Sequence, residues 1–242
     1  GIGVPDFVLA DKMKILGGLP LFHQPGEKWT YGLNDDVLGY LIEVVSGMSL
    51  KDFFAKRIFE PLGMKDTYFY LPADKKHRLV MLYTEDSETK KLVKMPEKLN
   101  LYADMYRDYP KMNGSYYSGG AGLSSTVYDY AIFLQMLLNG GEYNGKRLLS
   151  HNSVRMMTMN QIGDINRGAN KFGLGFGITT EKGSALLPTQ EGTFEWGGMF
   201  ATTYWVDPKE KLIGLVYRNI YNTSWGTLGN LYKVLAYQAM NY

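Results

Sequence analysis

One stretch of the chain decides the fold: His23-Gln24-Pro25-Gly26-Glu27-Lys28-Trp29-Thr30-Tyr31-Gly32-Leu33-Asn34-Asp35-Asp36-Val37-Leu38-Gly39. The Pro25-Gly26 pair predicts a tight turn. Asn34 predicts the N-cap of a helix, because its side chain can accept a hydrogen bond from a backbone N–H of the first turn. The turn is therefore expected to deliver Tyr31 to the start of this helix.

The predicted helix is amphipathic. Its apolar residues recur with the 3.6-residue period of a helix, and Gly47 ends the pattern. The residues that share this period are Leu38, Leu41, Ile42 and Val45. We expect them to form one buried stripe. Further helices are predicted where a side chain can cap the first turn, and the cap residues are Ser49, Thr126 and Ser150.

The later part of the chain has the pattern of a sheet. Apolar residues alternate with glycines and polar residues over 172–178, as in one strand that is packed on a single face. Further strands are predicted at 193–196, 200–206 and 212–218. An amphipathic helix over 228–239 is expected to lie across one face of this sheet of three to four strands.

The order of these elements predicts an α+β fold, in which a helical region is followed by an antiparallel sheet with a C-terminal helix packed on it. We expect residues 1–160 to be mostly helical, with a hairpin excursion near 78–98 whose tip is charged. Residues 161–242 are expected to form the sheet and the last helix. Both regions are expected to belong to one domain.

The composition excludes several classes of function. The 242 residues carry 26 basic and 24 acidic side chains, and the lysines are scattered among the acids, so no surface for nucleic acid is predicted. The absence of cysteine excludes disulfides and cysteine nucleophiles. The three histidines do not have the spacing of a metal motif, and no apolar run is long enough for a membrane span. No metal or organic cofactor is predicted.

Four segments carry the functional signal. They are Pro25-Gly26-Glu27-Lys28-Trp29-Thr30-Tyr31, Glu60-Pro61-Leu62-Gly63-Met64-Lys65-Asp66-Thr67, Gly119-Gly120-Ala121-Gly122-Leu123-Ser124-Ser125-Thr126 and Glu195-Trp196-Gly197-Gly198. In this order they resemble the penicillin-recognising serine hydrolases: class C β-lactamases, penicillin-binding DD-peptidases and family VIII-type esterases. The resemblance implies part of the fold of that family. It also implies acyl transfer, in which a serine hydroxyl attacks an ester or lactam carbonyl.

The resemblance implies roles for five residues. Tyr31 matches the general base, a tyrosine that accepts the serine proton when nearby cations stabilise its phenolate form. The backbone N–H of Met199 matches a donor of the oxyanion hole. Trp196, Gly197 and Gly198 match the strand that binds substrate, where Trp196 forms an apolar wall.

Two departures from the family pattern favour esters over lactams. Leu33 occupies a substrate-binding position that is often asparagine in the family, and a leucine there is found in the esterase branch. A Lys-Thr-Gly triad is absent from the segment at 195–198, which weakens recognition of a β-lactam carboxylate. The expected substrate is a small-molecule ester, lactam or peptide, and the two departures favour the ester.

The nucleophile is not found at a suitable place. Ser-x-x-Lys occurs at Ser87-Glu88-Thr89-Lys90, in the charged tip of the predicted hairpin, where a solvated turn is expected instead of a buried helix. Gly1-Ile2-Gly3 corresponds to the region just after the family's His-Thr-Ser-Gly stretch. The resemblance therefore implies that the serine and its lysine lie on an N-terminal segment outside this sequence, that this segment is a partner of the chain, and that the chain alone is inactive.

Two other functions remain compatible with the sequence. A domain derived from this fold can bind a peptide or glycan without catalysis, and an incomplete sheet edge can pair with a partner strand. Residues 1–20 show no signal peptide, so the sequence leaves the location open. The resemblance alone favours the periplasm or the cell surface.

Overall fold

The computed structural model describes residues 8–100 and 104–240, and the stretch Gly1-Ile2-Gly3 lies outside them. The α-helices of the described residues are α1 (Leu9–Gly17), α2 (Asn34–Ser46), α3 (Leu50–Phe54), α4 (Glu60–Leu62), α5 (Val127–Leu138), α6 (His151–Met157), α7 (Glu181–Ser184) and α8 (Leu228–Gln238). A π-helical turn, Ala55–Phe59, joins α3 to α4. None of the helices in these ranges has the length and apolar character needed to cross a membrane.

The strands are short. They are β1 (Tyr83–Glu85), β2 (Leu92–Lys94), β3 (Lys98–Asn100), β4 (Asp104–Tyr106), β5 (Glu142–Tyr143), β6 (Lys146–Arg147), β7 (Lys171–Phe172), β8 (Gly177–Ile178), β9 (Phe194–Gly197), β10 (Thr203–Asp207), β11 (Leu212–Val216) and β12 (Ile220–Tyr221). The largest sheet is antiparallel, with the strand order β11-β10-β9-β8-β7. Helix α8 packs on β11. The predicted α+β class, with a C-terminal helix on an antiparallel sheet, is confirmed.

The single strand predicted over 172–178 is wrong. The chain reverses there, and β7 pairs with β8 in an antiparallel hairpin. Gly175 has a φ of +90°, which glycine adopts readily, and the N–H of Gly173 donates to the carbonyl of Phe176 at 2.8 Å. The alternating glycines therefore encode a tight turn, and the sheet has five strands where three or four were expected.

One hydrophobic core joins the helices to the sheet. Helix α5 packs on β10 and β11, and Leu134 and Leu137 of α5 share this core with Phe194 and Val206. All four side chains are buried. Burial of apolar surface stabilises a fold by about 25 cal/mol per Å². Because this core draws on both regions of the sequence, we infer that they form one domain.

The contacts of helix α8 show which way the side chains of β9 point. The contacts between α8 and the sheet are Trp205 with Tyr232, Tyr237 with Asp207, and Lys233 with Glu195. Glu195 therefore points toward α8. Since successive side chains of a strand point to opposite faces, Trp196 points to the other face, where the aromatic residues described below are found.

The N-cap predicted for α2 is wrong by one residue. The helix begins at Asn34, and the N-cap position is Leu33, whose side chain cannot accept a hydrogen bond. The predicted end is confirmed, because Gly47 follows the helix with a φ of +67°. The caps predicted from Ser49, Thr126 and Ser150 are also confirmed, since each side chain accepts a hydrogen bond from a backbone N–H three residues on.

The buried stripe predicted for α2 is wrong as well. Leu38, Leu41 and Val45 are exposed, and Val45 has 79% of its surface in contact with solvent. The buried residues of α2 are instead Asp36 and Gly39. The helix therefore packs through its polar and glycine positions, and its apolar face has no cover among the described residues.

The excursion near 78–98 contains the hairpin of β1 and β2, which is attached to the C-terminal part of the chain. Strand β1 pairs in parallel with β12, so the three strands have the order β12-β1-β2. The carboxylate of Glu85 accepts hydrogen bonds from the N–H and the hydroxyl of Ser224 at 3.0 and 2.7 Å. These bonds lower the pKa of Glu85 and tie the hairpin to residues 219–224.

Candidate active site

The loop that carries Tyr31 is held by local hydrogen bonds. Gly26 turns the chain with a φ of +86°, and the N–H of Gln24 donates to the carboxylate of Glu27 at 3.1 Å. The imidazole Nε2 of His23 is hydrogen-bonded to the Thr30 hydroxyl at 2.7 Å. The predicted turn is thus built as expected, and it presents Tyr31 with 71% of its surface exposed.

The segment that includes Tyr116, Ser118 and Gly119 supports the start of α2. The buried carboxylate of Asp36 accepts hydrogen bonds from the hydroxyls of Tyr116 and Ser118 at 2.6 and 2.7 Å. A Cβ on Gly119 would lie 2.1 Å from the carbonyl oxygen of Asp35, so only glycine fits there. Because α2 follows directly after the Tyr31 loop, this segment positions the candidate base.

The segment at 60–67 has a structural role of the same kind. The carboxylate of Asp129, in the first turn of α5, accepts hydrogen bonds from the N–H of Asp66 at 2.7 Å and from the hydroxyl of Thr67 at 2.8 Å. The hydroxyl of Thr67 is also hydrogen-bonded to that of Ser125 at 2.8 Å. Two of the four segments that carry the resemblance are therefore bonded to each other.

Tyr31 and Trp196 lie against each other. Their ring centroids are 6.3 Å apart and their planes differ by 16°. Trp29 lies 6.3 Å from Tyr31, and Phe172 lies 5.2 Å from Trp196 and 5.5 Å from Trp29. We call Tyr31, Trp29, Phe172 and Trp196 the aromatic cluster. It brings the loop before α2 together with β7 and β9.

Arg167 lies within the aromatic cluster. Its guanidinium carbon is 4.9 Å from the ring centroid of Trp29, 5.2 Å from that of Phe172 and 5.3 Å from that of Trp196. Burial lowers the pKa of this guanidinium from its ordinary value. The sequence analysis did not select Arg167, Trp29 or Phe172 as site residues. One signal in the sequence could have identified Arg167: it is the single cation in the polar segment 160–170.

The turn after β9 presents a free backbone donor. The N–H of Ala201 donates to the carbonyl of Gly198 at 3.0 Å, which makes Met199 the second residue of a four-residue turn. The N–H of Gly198 donates to the carbonyl of Thr202 at 2.9 Å. The N–H of Met199 has no acceptor among the described residues. Such a donor is what an oxyanion hole needs.

The glycines of this turn have different surroundings. A Cβ on Gly198 would lie 2.4 Å from the hydroxyl oxygen of Thr202, so a larger residue there would require the Thr202 side chain to move. A Cβ on Gly197 would lie 3.1 Å from the carbonyl oxygen of Thr202. Leu33 lies on the Tyr31 loop with 60% of its surface exposed. The side chain of Leu33 is thus free to contact a ligand.

Ser87 and Lys90 are at the tip of the hairpin of β1 and β2. The carboxylate of Asp86 accepts hydrogen bonds from the N–H of Glu88 at 3.2 Å and from the N–H and hydroxyl of Thr89, both at 2.7 Å. Lys90 has a φ of +58°. Ser87 and Lys90 are both exposed, so this Ser-x-x-Lys forms a solvated turn, as expected.

In the described ranges no group of three or more His, Asp or Glu side chains is placed to hold a metal ion.

Comparison with known proteins decides the relationship. The beta-lactamase family profile matches residues 3–236. This chain belongs to the beta-lactamase family. The predicted relationship to the β-lactamase-like serine hydrolases is confirmed.

Relatives within the beta-lactamase family include named esterases. The chain is 33% identical to Protein Rv1367c of Mycobacterium tuberculosis, over 86% of this chain and 52% of that protein. It is 30% identical to the lovastatin esterase of Penicillium rubens, over 81% and 51% of the two chains, and 26% identical to esterase EstB of Burkholderia gladioli, over 93% and 57%. The chain thus spans about half the length of these curated relatives.

Solved structures show the same fold. The chain superimposes on EstCE1, described as a hydrolase with promiscuous acyltransferase activity, with a TM-score of 0.80 and 22% identity, over 95% of this chain and 61% of that one. It superimposes on a penicillin-binding protein homolog from Caulobacter crescentus with a TM-score of 0.73 and 16% identity, over 96% and 64%. At these sequence identities the structural similarity shows that this chain shares the fold of these proteins.

Proposed function

We propose that this chain is the base-bearing and oxyanion-binding part of a serine hydrolase that cleaves small-molecule esters. One observation carries the proposal: Tyr31 stacks on Trp196, at the end of the strand whose following turn exposes the N–H of Met199. A tyrosine hydroxyl, an apolar wall and a free backbone donor are thereby gathered in one region. These are the parts that acyl transfer needs besides a nucleophile.

In this proposal Tyr31 is the general base. Its oxygen has no hydrogen-bond partner among the described residues, and its side chain is exposed. As a phenolate, stabilised by the lysine of the nucleophile segment, this oxygen can accept the serine proton. The nucleophilic serine oxygen forms a bond to the carbonyl carbon, and Tyr31 takes the serine proton. The bond to the leaving oxygen then breaks, and the proton passes to the leaving alcohol. Water repeats the sequence on the acyl-serine and releases the acid.

The backbone N–H of Met199 stabilises the negative charge that develops on the carbonyl oxygen. A donor that is fixed in a turn needs no reorganisation when this charge appears. The second donor is the N–H of the serine itself. Trp196, Gly197 and Gly198 line the acyl group, and Leu33 lines the opposite edge. These contacts are apolar or come from the backbone, which favours an ester without a charged recognition group.

The serine and its lysine are supplied by a further protein segment. The support is the exposed apolar face of α2, which includes Leu38, Leu41 and Val45. An apolar groove on this face is lined by Leu41, Ile42, Val45, Ser46 and Phe53. Exposed apolar patches of this kind mark interaction surfaces. A helix that packs on this face with its N-terminal Ser-x-x-Lys beside the start of α2 would place its serine near the Tyr31 loop.

Labelling with a fluorophosphonate tests the proposal. The probe is applied to the chain joined to its Ser-x-x-Lys segment, and the adduct is read by intact mass. We expect one adduct on the joined protein and none on the 242-residue chain alone. Absence of an adduct and of ester turnover in the joined protein would overturn the serine-hydrolase proposal and favour a binding domain.

Replacement of Tyr31 tests the base. Tyr31→Phe keeps the ring and its stacking on Trp196 and removes only the hydroxyl. We expect ester turnover to fall about a hundredfold or more, the range of general-base catalysis, with the melting curve unchanged. Tyr128→Phe is the matched control, because Tyr128 on α5 is 72% exposed. Full activity of Tyr31→Phe would show that another group is the base.

The location is proposed on family membership alone. We place the protein in the periplasm or at the cell surface. Cell fractionation followed by immunoblotting measures this directly, and recovery of the protein in the cytosolic fraction would contradict it.

A further inference from the structure

Arg167 makes contacts that no other cation of the described residues makes. It comes from the polar segment between α6 and β7, and its guanidinium lies against rings from three elements: Trp29 before α2, Phe172 of β7 and Trp196 of β9. A cation over an aromatic face is attracted by the negative face of the ring. The guanidinium thus contacts three rings, one of which, Trp196, is the stacking partner of Tyr31.

The hydrogen bonds of Arg167 are incomplete. Its Nη1 donates to the carbonyl of Lys171 at 3.3 Å, and its Nε is buried without an acceptor among the described residues. Among the described residues no carboxylate forms an ion pair with Arg167. The negative charge of Glu195 acts on the guanidinium, but the Glu195 carboxylate is bonded to Lys233. A leucine would fill this space without the cost of burying an N–H. The main attraction that holds the guanidinium here is therefore to the rings.

We propose that Arg167 is a positioning residue of the candidate active site: its guanidinium orders Trp29 and Trp196, and through them the ring of Tyr31. The inference rests on the proposed function, because it assigns Arg167 a role in placing the proposed base. The geometry gives the route. Trp29 and Trp196 each contact both Arg167 and Tyr31, at ring-centroid distances to Tyr31 of 6.3 Å in both cases.

The first test needs no catalysis. Near-ultraviolet circular dichroism of the 242-residue chain reports the fixed packing of its aromatic side chains, which include Trp29, Tyr31 and Trp196 among four tryptophans and nineteen tyrosines. Arg167→Leu removes the charge and keeps an apolar side chain, and we expect it to weaken this signal. Arg167→Lys keeps a cation and should retain most of it. Arg155→Leu is the matched control, because Arg155 on α6 is exposed and contacts Asn152.

The second test measures kcat and KM for an uncharged 4-nitrophenyl ester with the chain joined to its nucleophile segment. A displaced base lowers kcat by about tenfold to a hundredfold, whereas KM stays within about twofold. We expect a lower kcat with a nearly unchanged KM for Arg167→Leu, a partly restored kcat for Arg167→Lys and no change in either constant for Arg155→Leu. Wild-type dichroism and wild-type kcat in Arg167→Leu would overturn the inference. If the unsubstituted joined protein has no turnover, the proposed function fails, and the dichroism comparison still decides the role of Arg167.

Discussion

The ring of Tyr31 lies nearly parallel to the ring of Trp196, with centroids 6.3 Å apart. One residue precedes the helix α2 and the other is in the sheet strand β9, so the stack joins the two regions of the fold. An offset stacked pair of this kind is stabilised by about 0.5–1.5 kcal/mol beyond the area that it buries. The contact makes Trp196 both a wall of the candidate site and a support for the candidate base.

The first prediction concerns Trp196. Trp196→Leu removes the ring on which Tyr31 stacks and leaves an apolar side chain in the wall. We expect ester kcat/KM of the joined protein to fall about tenfold, the equivalent of the lost stacking contact. Steady-state kinetics measure this. Trp225→Leu is the control, since Trp225 is exposed outside the cluster, and an equal loss in both variants would contradict the role of Trp196.

The second prediction concerns the N–H of Met199. Met199 is the second residue of a turn closed by the Ala201 N–H, and proline is favoured at that position. Met199→Pro therefore removes the donor with little strain. We expect kcat to fall by about a hundredfold to a thousandfold, as for other oxyanion-hole donors. Met199→Ala keeps the N–H and should retain most of the activity, and equal kcat values for the two variants would exclude Met199 as the donor.

The third prediction concerns Asp36. Asp36→Ala removes the carboxylate that accepts hydrogen bonds from the hydroxyls of Tyr116 and Ser118. Hydrogen bonds to a charged group contribute about 1.5–3 kcal/mol each, so we expect the free energy of unfolding to fall by at least about 2 kcal/mol. Urea unfolding measures the change. Asp74→Ala, at an exposed position, should change it little, and a stable Asp36→Ala would contradict the support that Tyr116 and Ser118 give to the start of α2.

The parts of the fold that could be predicted are those that local chemistry determines. Ser49, Thr126 and Ser150 each cap the helix that was predicted after them, because a capping bond spans only three residues. The turn between β10 and β11 is also local, because the carboxylate of Asp207 accepts hydrogen bonds from the N–H of Lys209 and the N–H of Glu210. These features depend on neighbours in the sequence.

What could not be predicted depends on distant partners. The exposed face of α2 has the periodicity of a buried helix, and the periodicity does not say which element covers it. The contacts of Arg167 arise because three separate elements meet at one point, and no spacing in the sequence records that meeting. The residues proposed for the site were found through their motifs, whereas their support by Trp29, Phe172 and Arg167 required the structure.

The fourth prediction concerns pH. The bonds from Ser224 hold the pKa of Glu85 below its ordinary value. A carboxyl whose pKa is lowered by folding stabilises the folded state above its unfolded pKa of about 4.3, and this contribution is lost as the pH falls through the lower folded pKa. We expect the hairpin of β1 and β2 to loosen in acid, seen as lower protection factors for amide hydrogen exchange in β1, which correct for the pH dependence of the intrinsic exchange rate. Ser224→Ala should make these protection factors less dependent on pH, and an unchanged pH profile would contradict the link.

The last prediction concerns the exposed apolar face of α2. The same substitution is expected to have different effects in the 242-residue chain and in the joined protein. Val45 is 79% exposed in this chain, so Val45→Glu should leave the free energy of unfolding of the 242-residue chain within about 0.5 kcal/mol. In the joined protein the same glutamate would be buried without a partner, which costs several kcal/mol. Urea unfolding of both forms tests this. Val80→Glu, at an exposed position outside α2, should be tolerated in both, and tolerance of Val45→Glu in the joined protein would show that the nucleophile segment packs elsewhere.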